Sequence, residues 1–279
     1  MWPSFVASCS ASRGDTRPKQ SGNLPAHVAR HHDEMPSAAR REPTSTFLAS
    51  MPVRYRTLFD STSAREHAAI VERRGDSPVH AELWKRLPRG RAVACVVAAD
   101  RPGLLSCIAA SLVVHGLDVE AAQAFTRETT GEAVDLFWLR RDAALPSPVL
   151  EADIDRVSAL LRELVTGRTT IDALTSRMRA RPTATPGTGT HVRFEETDDG
   201  GVAVLTVETF DRPGLLLGVT RALHRARVQI IASEATTDRG RVVDRFSIVE
   251  LDGAPLKASR RGLLQMEVLG AIDALRHGG

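Results

Sequence analysis

The sequence predicts an α+β protein in which one βαββα unit occurs twice. The hexapeptide DRPGLL stands at residues 100–105 and again at residues 211–216. Apolar residues around the two copies follow matching periodicities, so the repetition extends well beyond six residues. A duplicated unit that mixes strands and helices predicts two similar α+β domains in tandem.

Each copy of the hexapeptide follows a predicted strand and precedes a predicted helix. Residues 92–99 are continuously apolar, and residues 202–209 alternate apolar with smaller or polar side chains, which favours a strand in both places. The four-residue apolar spacing after each corner predicts an amphipathic helix. At an offset of 111 the two helical stripes coincide: Leu104, Ile108 and Leu112 correspond to Leu215, Val219 and Leu223.

A hairpin and a second helix complete each unit. The VDLF segment at 134–137 corresponds to VDRF at 243–246 with an offset of 109, so the turn of the second hairpin has lost two residues. Helical periodicity predicts further helices over residues 150–165 and 260–275. The alternating residues that precede each turn coincide at the offset of 111: Leu117, Val119 and Ala121 correspond to Val228, Ile230 and Ala232.

The residue types of the corner predict a site for an anion. Proline fits the first turn of a helix, where a missing N–H costs nothing, and aspartate fits the cap. Glycine lacks a Cβ, so another molecule can approach the N–H groups at the positive end of the helix dipole. Turn chemistry alone explains the same residues, so a purely architectural role stays open. The residues are Asp100, Pro102 and Gly103, with Asp211, Pro213 and Gly214 in the second copy.

Together with the corners, the segments GLDV at 116–119 and AVDLFW at 133–138 resemble an ACT domain, the small ferredoxin-like module that binds amino acids and regulates enzymes. Two such domains in tandem, the second with RVVDRF at 241–246, are similar to the C-terminal sensory half of the bifunctional uridylyltransferase/uridylyl-removing enzymes of nitrogen signalling. The segment MPVRY at 51–55 and the helix containing EHA at 66–68 resemble the part that precedes the pair there.

This resemblance implies an amino-acid ligand, with glutamine favoured, and a partner enzyme or PII-type signal protein. It also implies a homodimer, because ACT units commonly join their sheets edge to edge. In the family such ligands lie between domains at the helix-start loops, and an aspartate of the corner is the nearest acceptor for the α-amino group. The implied ligand-binding residues are Asp100, Arg101, Pro102, Gly103, Leu104, Leu105, Asp211, Arg212, Pro213, Gly214, Leu215 and Leu216.

The second unit lacks room for a fourth strand after its last helix, since the sequence ends at Gly279. We expect the HVRFEET segment at 191–197 to supply that strand by pairing with residues 202–209 through a turn at 198–201. The predicted organisation is then a disordered leader over 1–50, a helical segment over 51–88, a first ACT domain over 89–178, a linker over 179–190 and a second ACT domain over 191–279.

The sequence predicts no enzymatic activity and no cofactor. A nucleotidyltransferase of the resembled family needs a Gly-Ser phosphate loop with paired metal-binding carboxylates, and neither pattern occurs. The uridylyl-removing activity needs an HD-type metal site with several separated ligands. The dipeptide His32-Asp33 lies in the compositionally biased leader, so we do not expect a metal site there.

Composition predicts a cytoplasmic protein that binds neither nucleic acid nor membrane. The net charge is +3, yet residues 1–90 carry fourteen Lys and Arg against nine Asp and Glu, which leaves 23 against 25 in the remainder. The slightly acidic body and few aromatic residues exclude a nucleic-acid footprint. The leader lacks a cationic signal-peptide start, so we expect no secretory signal. The resemblance begins at Met51, which leaves open whether residues 1–50 are translated. Cys95 and Cys107 are interpreted as small buried hydrophobic residues.

Further polar residues leave two functions open. Gln123 and Glu234 correspond at the offset of 111, and either line a cleft or lie on a solvated sheet face. Asp135 and Asp244 recur and could fix a strand edge by accepting from a neighbouring N–H. The chain is either an amino-acid-sensing regulatory protein without catalysis, or a truncated uridylyltransferase-like protein that serves as a protein–protein interaction module without a small ligand.

Overall fold

The computed structural model describes residues 42–141, 147–176, 189–195 and 201–277. In chain order the elements are α1 (Thr44–Ser50), α2 (Val53–Leu58), α3 (Ser61–Arg74), β1 (Val79–Arg86), β2 (Ala92–Ala99), α4 (Leu104–Val114), β3 (Leu117–Ala124), β4 (Glu132–Arg141), α5 (Glu151–Val165), α6 (Ile171–Thr175), β5 (His191–Glu195), β6 (Ala203–Phe210), α7 (Leu215–Arg225), β7 (Val228–Asp238), β8 (Arg241–Glu250) and α8 (Ala258–His277).

The strands form one eight-stranded sheet in the order β1-β2-β4-β3-β7-β8-β6-β5, and neighbouring strands are antiparallel. Counted from the outer edge inward, the first half runs β1-β2-β4-β3 and the second half runs β5-β6-β8-β7. The two halves therefore have the same ferredoxin-like topology, which confirms the predicted duplication and the α+β fold class.

The outer strand of each half, β1 or β5, comes from the segment that precedes that repeat in the sequence. β5 pairs with β6 from His191 opposite Glu208 to Glu195 opposite Val204, which confirms the strand that the second unit needed. Residues 196–200, which contain most of the predicted turn, lie outside the described part of the chain. β1 pairs with β2 in the same way, so the prediction of a helical segment over 51–88 is wrong for residues 79–86.

The halves meet through β3 and β7, which pair from Ala121 opposite Thr236 to Ala124 opposite Ser233. Gln123 lies directly opposite Glu234, its equivalent in the other repeat, so an approximate two-fold axis passes between them. The edge-to-edge joining that the sequence predicted between copies of the chain is thus made inside one chain. Homodimerisation remains a prediction.

Two apolar cores lie on opposite faces of the sheet. The larger one fills the space between the sheet and α4, α5, α7 and α8, and it includes Phe137. The smaller one lies between the other face of the first half and α1–α3, where Trp138 packs at its edge. Phe47 and Met51 are fully buried in it, so the prediction of a disordered leader over 1–50 is wrong for α1. Residues 1–41 lie outside the description.

The second half presents a polar face where the first half carries this N-terminal layer. Cys95, Val97 and Leu136 face α1–α3, whereas the equivalent positions of the second half hold Thr206, Glu208 and Arg245. Ion pairs cross that face, from Arg193 to Glu208 and from Arg245 to Glu195 at 2.9 Å. The duplication is therefore asymmetric: only one outer face is apolar enough to require a covering layer.

α3 is capped by Asp60, whose carboxylate accepts from the Ser63 N–H at 2.8 Å. Residues 177–188, which hold most of the predicted linker, lie outside the described chain. Among the described residues, every helix is too short or too polar to cross a membrane.

Candidate ligand clefts between the two halves

The two DRPGLL corners are turns that precede α4 and α7. Gly103 and Gly214 are the N-cap residues, and both adopt left-handed backbone conformations, with φ of 83° and 78°. Glycine reaches this region without steric cost, which explains its place in both copies. The prediction that Asp100 and Asp211 cap the helices is therefore wrong, because the turn places each of them three residues before the N-cap.

Both corner aspartates already have partners. Asp100 Oδ2 accepts from the Thr126 hydroxyl at 2.8 Å, and Asp211 Oδ2 accepts from Arg140 Nη2 at 3.1 Å. Thr126 and Arg140 both belong to the first half, so the second contact crosses between the halves. Either carboxylate would have to share or exchange its partner to receive a ligand.

The corner arginines fasten each corner to the last long helix of its own half. Arg101 Nη1 donates to the Val165 carbonyl at 2.6 Å, at the C-terminal end of α5. Arg212 is buried and donates from Nη1 to the Ile272 carbonyl of α8 at 3.3 Å and from Nη2 to Thr209 Oγ1 at 3.1 Å. These contacts give both arginines a structural role in holding the turns.

The remaining corner residues divide between packing and solvent. Leu104 and Leu215 are buried, and their N–H groups donate to the carbonyls of Arg101 and Arg212 at 3.1 and 3.2 Å. Those two N–H groups are therefore occupied within the turns. Leu105 and Leu216 are also buried, whereas Pro102 and Pro213 are exposed.

The first corner faces the second half across a cleft. Its volume is about 450 Å³, including the part that opens to solvent. The first half contributes the corner, Ser106 and Asp135, and the second half contributes Thr220 and His224 from α7. Ser106 is buried, and its hydroxyl has no hydrogen-bond partner among the described residues.

The second corner faces the first half across an equivalent cleft of about 490 Å³, again including its open part. Here the second half contributes the corner and Asp244, while the first half contributes Ala109 and Val113 from α4 and Asp118 from β3. The two clefts are related by the two-fold axis between β3 and β7.

A buried aspartate occupies each cleft. Asp135 and Asp244 are 4% and 2% exposed. Burial raises the pKa of each to about 8, and the neighbouring Asp100 and Asp211 add to the effect in their respective clefts. Asp135 Oδ1 accepts from the Phe125 N–H at 3.2 Å, which confirms the proposed strand contact. Their recurrence was visible in the sequence, but their place inside the clefts depends on which sheet face the helices cover.

Two other candidate positions lie elsewhere. Gln123 and Glu234 are on the opposite sheet face from the clefts, and both bind Arg54 of α2, at 2.6 Å and 3.1 Å. His224 belongs to the first cleft, and no local sequence pattern indicates this, because the contact joins the two halves. Within the described ranges, no cluster of three or more His, Cys, Asp or Glu side chains could hold a metal ion.

Comparisons with known proteins agree with the resemblance seen in the sequence. No family model matches the chain. A bifunctional uridylyltransferase/uridylyl-removing enzyme of Gluconobacter oxydans is 35% identical over 205 residues, 70% of this chain and 21% of that enzyme. The enzyme of the same description from Ruegeria pomeroyi is 32% identical over 162 residues, 57% of this chain and 18% of that enzyme.

The chain is thus homologous to part of these enzymes and spans about a fifth of the length of the curated relatives it matches. Among solved structures, an aspartate kinase from Synechocystis matches 66% of this chain and 27% of its own, with 15% identity and a TM-score of 0.38.

Proposed function

We propose that the chain is a non-catalytic regulatory module that binds a free amino acid between its two ACT-type halves. One observation carries the proposal: each DRPGLL corner faces the opposite half across a cleft that contains a deeply buried aspartate. Ionising such a buried carboxyl without a cationic partner is costly, so a ligand's ammonium group, by supplying the positive charge, would favour the ionised form.

An amino acid matches the chemistry of these clefts. Its ammonium group would complement Asp135 or Asp244, and its carboxylate would complement N–H groups at the start of α4 or α7. Glutamine is the favoured ligand, because the uridylyltransferase-type enzymes that the chain resembles take part in nitrogen signalling. A PII-type signal protein or a separate nucleotidyltransferase is the corresponding partner.

Ligand binding between the halves would act as a regulatory signal. Each cleft is built from both halves, so a ligand that contacts both surfaces favours one relative placement of β3 and β7 over others. The shift in population cannot exceed the ligand's differential affinity for the two arrangements. A partner that contacts both halves would then bind with altered affinity.

Thermal unfolding of the full chain in the presence of each of the twenty amino acids tests the proposal. A ligand that binds only the folded state at a hundred times its dissociation constant stabilises by about 2.7 kcal/mol, which is a rise of about 5–10 °C for a chain of this size. We expect such a rise with glutamine and its loss in Gly214→Val.

Gly253→Val is the matched control. Gly253 also has a positive φ, of 80°, and lies in a turn between β8 and α8. A valine at position 253 therefore introduces the same kind of backbone strain as one at position 214, but outside both clefts. If every amino acid leaves the unfolding temperature unchanged, the proposal is wrong.

A protein-interaction module without a small ligand is the second candidate. Leu263 and Met266 lie three residues apart on α8 and are 66% and 71% exposed, so they are the candidate contact for a partner. Replacing both by serine should abolish partner or self-association while leaving any amino-acid response intact. Analytical ultracentrifugation of the wild type and the double-serine variant measures association, and thermal unfolding with amino acids measures the ligand response.

A further inference from the structure

The two corners differ in what stands in front of their N-cap glycines. A Cβ added to Gly103 would lie 2.8 Å from Cε1 and Nδ1 of His224, a distance that real Cβ atoms essentially never show. A Cβ added to Gly214 would meet no described atom within 4 Å. The imidazole of one half therefore covers the first corner, whereas the second corner is open.

The reason for this difference lies in one pair of equivalent positions. At the offset of 111, Val113 of α4 corresponds to His224 of α7. Val113 lines the second cleft as His224 lines the first. The isopropyl group of valine is shorter than an imidazole, so it leaves the space in front of Gly214 free. The ring of His224 fills the corresponding space at Gly103.

The second cleft also presents a buried acceptor that lacks a donor. Asp244 receives the Thr236 N–H, but its Oδ1 is buried without any hydrogen-bond partner among the described residues. Asp211, the other carboxylate of this cleft, already accepts from Arg140. In the first cleft the corresponding unpaired atom is the neutral hydroxyl of Ser106, which a single water can satisfy.

We propose that the corners are not equivalent: His224 keeps the first closed, and the second takes a ligand's ammonium group on Asp244 Oδ1, so one chain binds one amino acid. The inference rests on the proposed function and assigns its site and its stoichiometry. The acceptor for the ligand's amino group is then Asp244 and not, as the family resemblance implied, a corner aspartate. Positions 113 and 224 decide which cleft is open.

Isothermal titration of L-glutamine into the full chain tests the assignment. We expect one molecule bound per chain. Val113→His places an imidazole in front of Gly214 and should weaken binding at least tenfold, whereas His224→Val should retain it. Asp244→Asn should weaken binding by roughly 10–100-fold, the usual loss for a hydrogen bond to a charged group, and Asp135→Asn should stay within about twofold.

Two molecules per chain, full affinity in Val113→His, or equal losses in the two asparagine variants would each overturn the assignment. Absence of heat with glutamine, together with an unchanged unfolding temperature for all twenty amino acids, would instead remove the proposed function, and with it the contact to Asp244. Closure of the first corner has its own ligand-free test: a nuclear Overhauser contact between His224 Hε1 and a Gly103 Hα. If that contact is missing, the first corner is not closed.

Discussion

Gln123 and Glu234 occupy equivalent positions in the two repeats, face one another across the β3–β7 pair, and share one guanidinium group. Arg54 Nη2 donates to Gln123 Oε1 at 2.6 Å and pairs with Glu234 Oε2 at 3.1 Å. Arg54 belongs to α2, so the N-terminal layer is bound to both halves at their junction. A change in the relative placement of the halves would alter these two contacts.

Replacing Arg54 should therefore weaken the junction more than an ordinary surface substitution. We expect Arg54→Ala to lower the free energy of unfolding by about 1–2 kcal/mol, since the side chain is only one-third exposed and makes two charge-assisted contacts. Arg56→Ala, an exposed position on the same helix, is the control and should change stability by less than about 0.5 kcal/mol. Urea unfolding of both variants measures the difference. Equal losses of unfolding free energy would contradict a stabilising role of the Arg54 contacts at the junction.

The sequence was sufficient for the duplicated unit because the signals were local and occurred twice. The corners, their periodic helices and the β5 pairing partner all follow from residue types within a few positions of each other. β1 had one local signal, the alternation of Val79, Ala81 and Leu83 towards the larger core, and the prediction of a helical segment passed over it. Its other face carries Glu82, whose partner Arg73 lies on α3, and such a contact leaves no periodic pattern.

The clefts were only half predictable for a related reason. Recurrence of Asp135 and Asp244 identifies equivalent positions in the two repeats, but does not show that helices bury them. The closing of one corner by His224 depends on the packing of α7 beside α4, which sequence periodicity does not encode. The short helix α1 likewise owes its structure to tertiary contacts, since seven residues are too few for an isolated helix to be stable.

Truncating the buried ring of α1 should cost stability. Phe47 is fully buried and packs edge-to-face on Tyr55 at 5.8 Å between ring centroids. We expect Phe47→Ala to destabilise the chain by about 3–5 kcal/mol through loss of buried surface and formation of a cavity. Thr46→Ala, an exposed neighbour, should be nearly neutral. A small effect of Phe47→Ala in thermal unfolding would show that the folded body begins after α1.

Removing the charge of the cleft aspartates should stabilise the chain at alkaline pH. Each has a folded-state pKa of about 8, above the value near 4 of an unfolded aspartate. Between these values the folded state holds a proton that the unfolded state has released, so these groups make stability fall as pH rises through the window. Asparagine does not titrate and keeps the acceptor oxygen.

We expect Asp135→Asn and Asp244→Asn each to gain about 2 kcal/mol or more over the wild type at pH 9, with a smaller gain at pH 6. Asp155→Asn, an exposed position on α5, should show no such gain. Chemical denaturation at the two pH values provides the comparison. Equal stabilities of variant and wild type at pH 9 would mean that the clefts neutralise these carboxylates in another way.

The N-terminal layer should weaken in acid through His67. Its Nδ1 lies 2.6 Å from the Tyr55 hydroxyl in the smaller core, and burial, helped by the nearby Lys85, lowers its pKa to about 3. The unfolded histidine, with a pKa near 6.5, takes up a proton in the window where the folded one does not, so stability is lost as pH falls from about 6.5 towards 3.

We expect the wild type to lose about 3 kcal/mol more than His67→Gln between pH 7 and pH 4, because glutamine preserves a partner for Tyr55 without titrating. His191→Gln, at an exposed position on β5, should follow the wild type. Urea unfolding at both pH values measures this difference. If His67→Gln loses as much stability as the wild type between pH 7 and pH 4, other groups cause the loss.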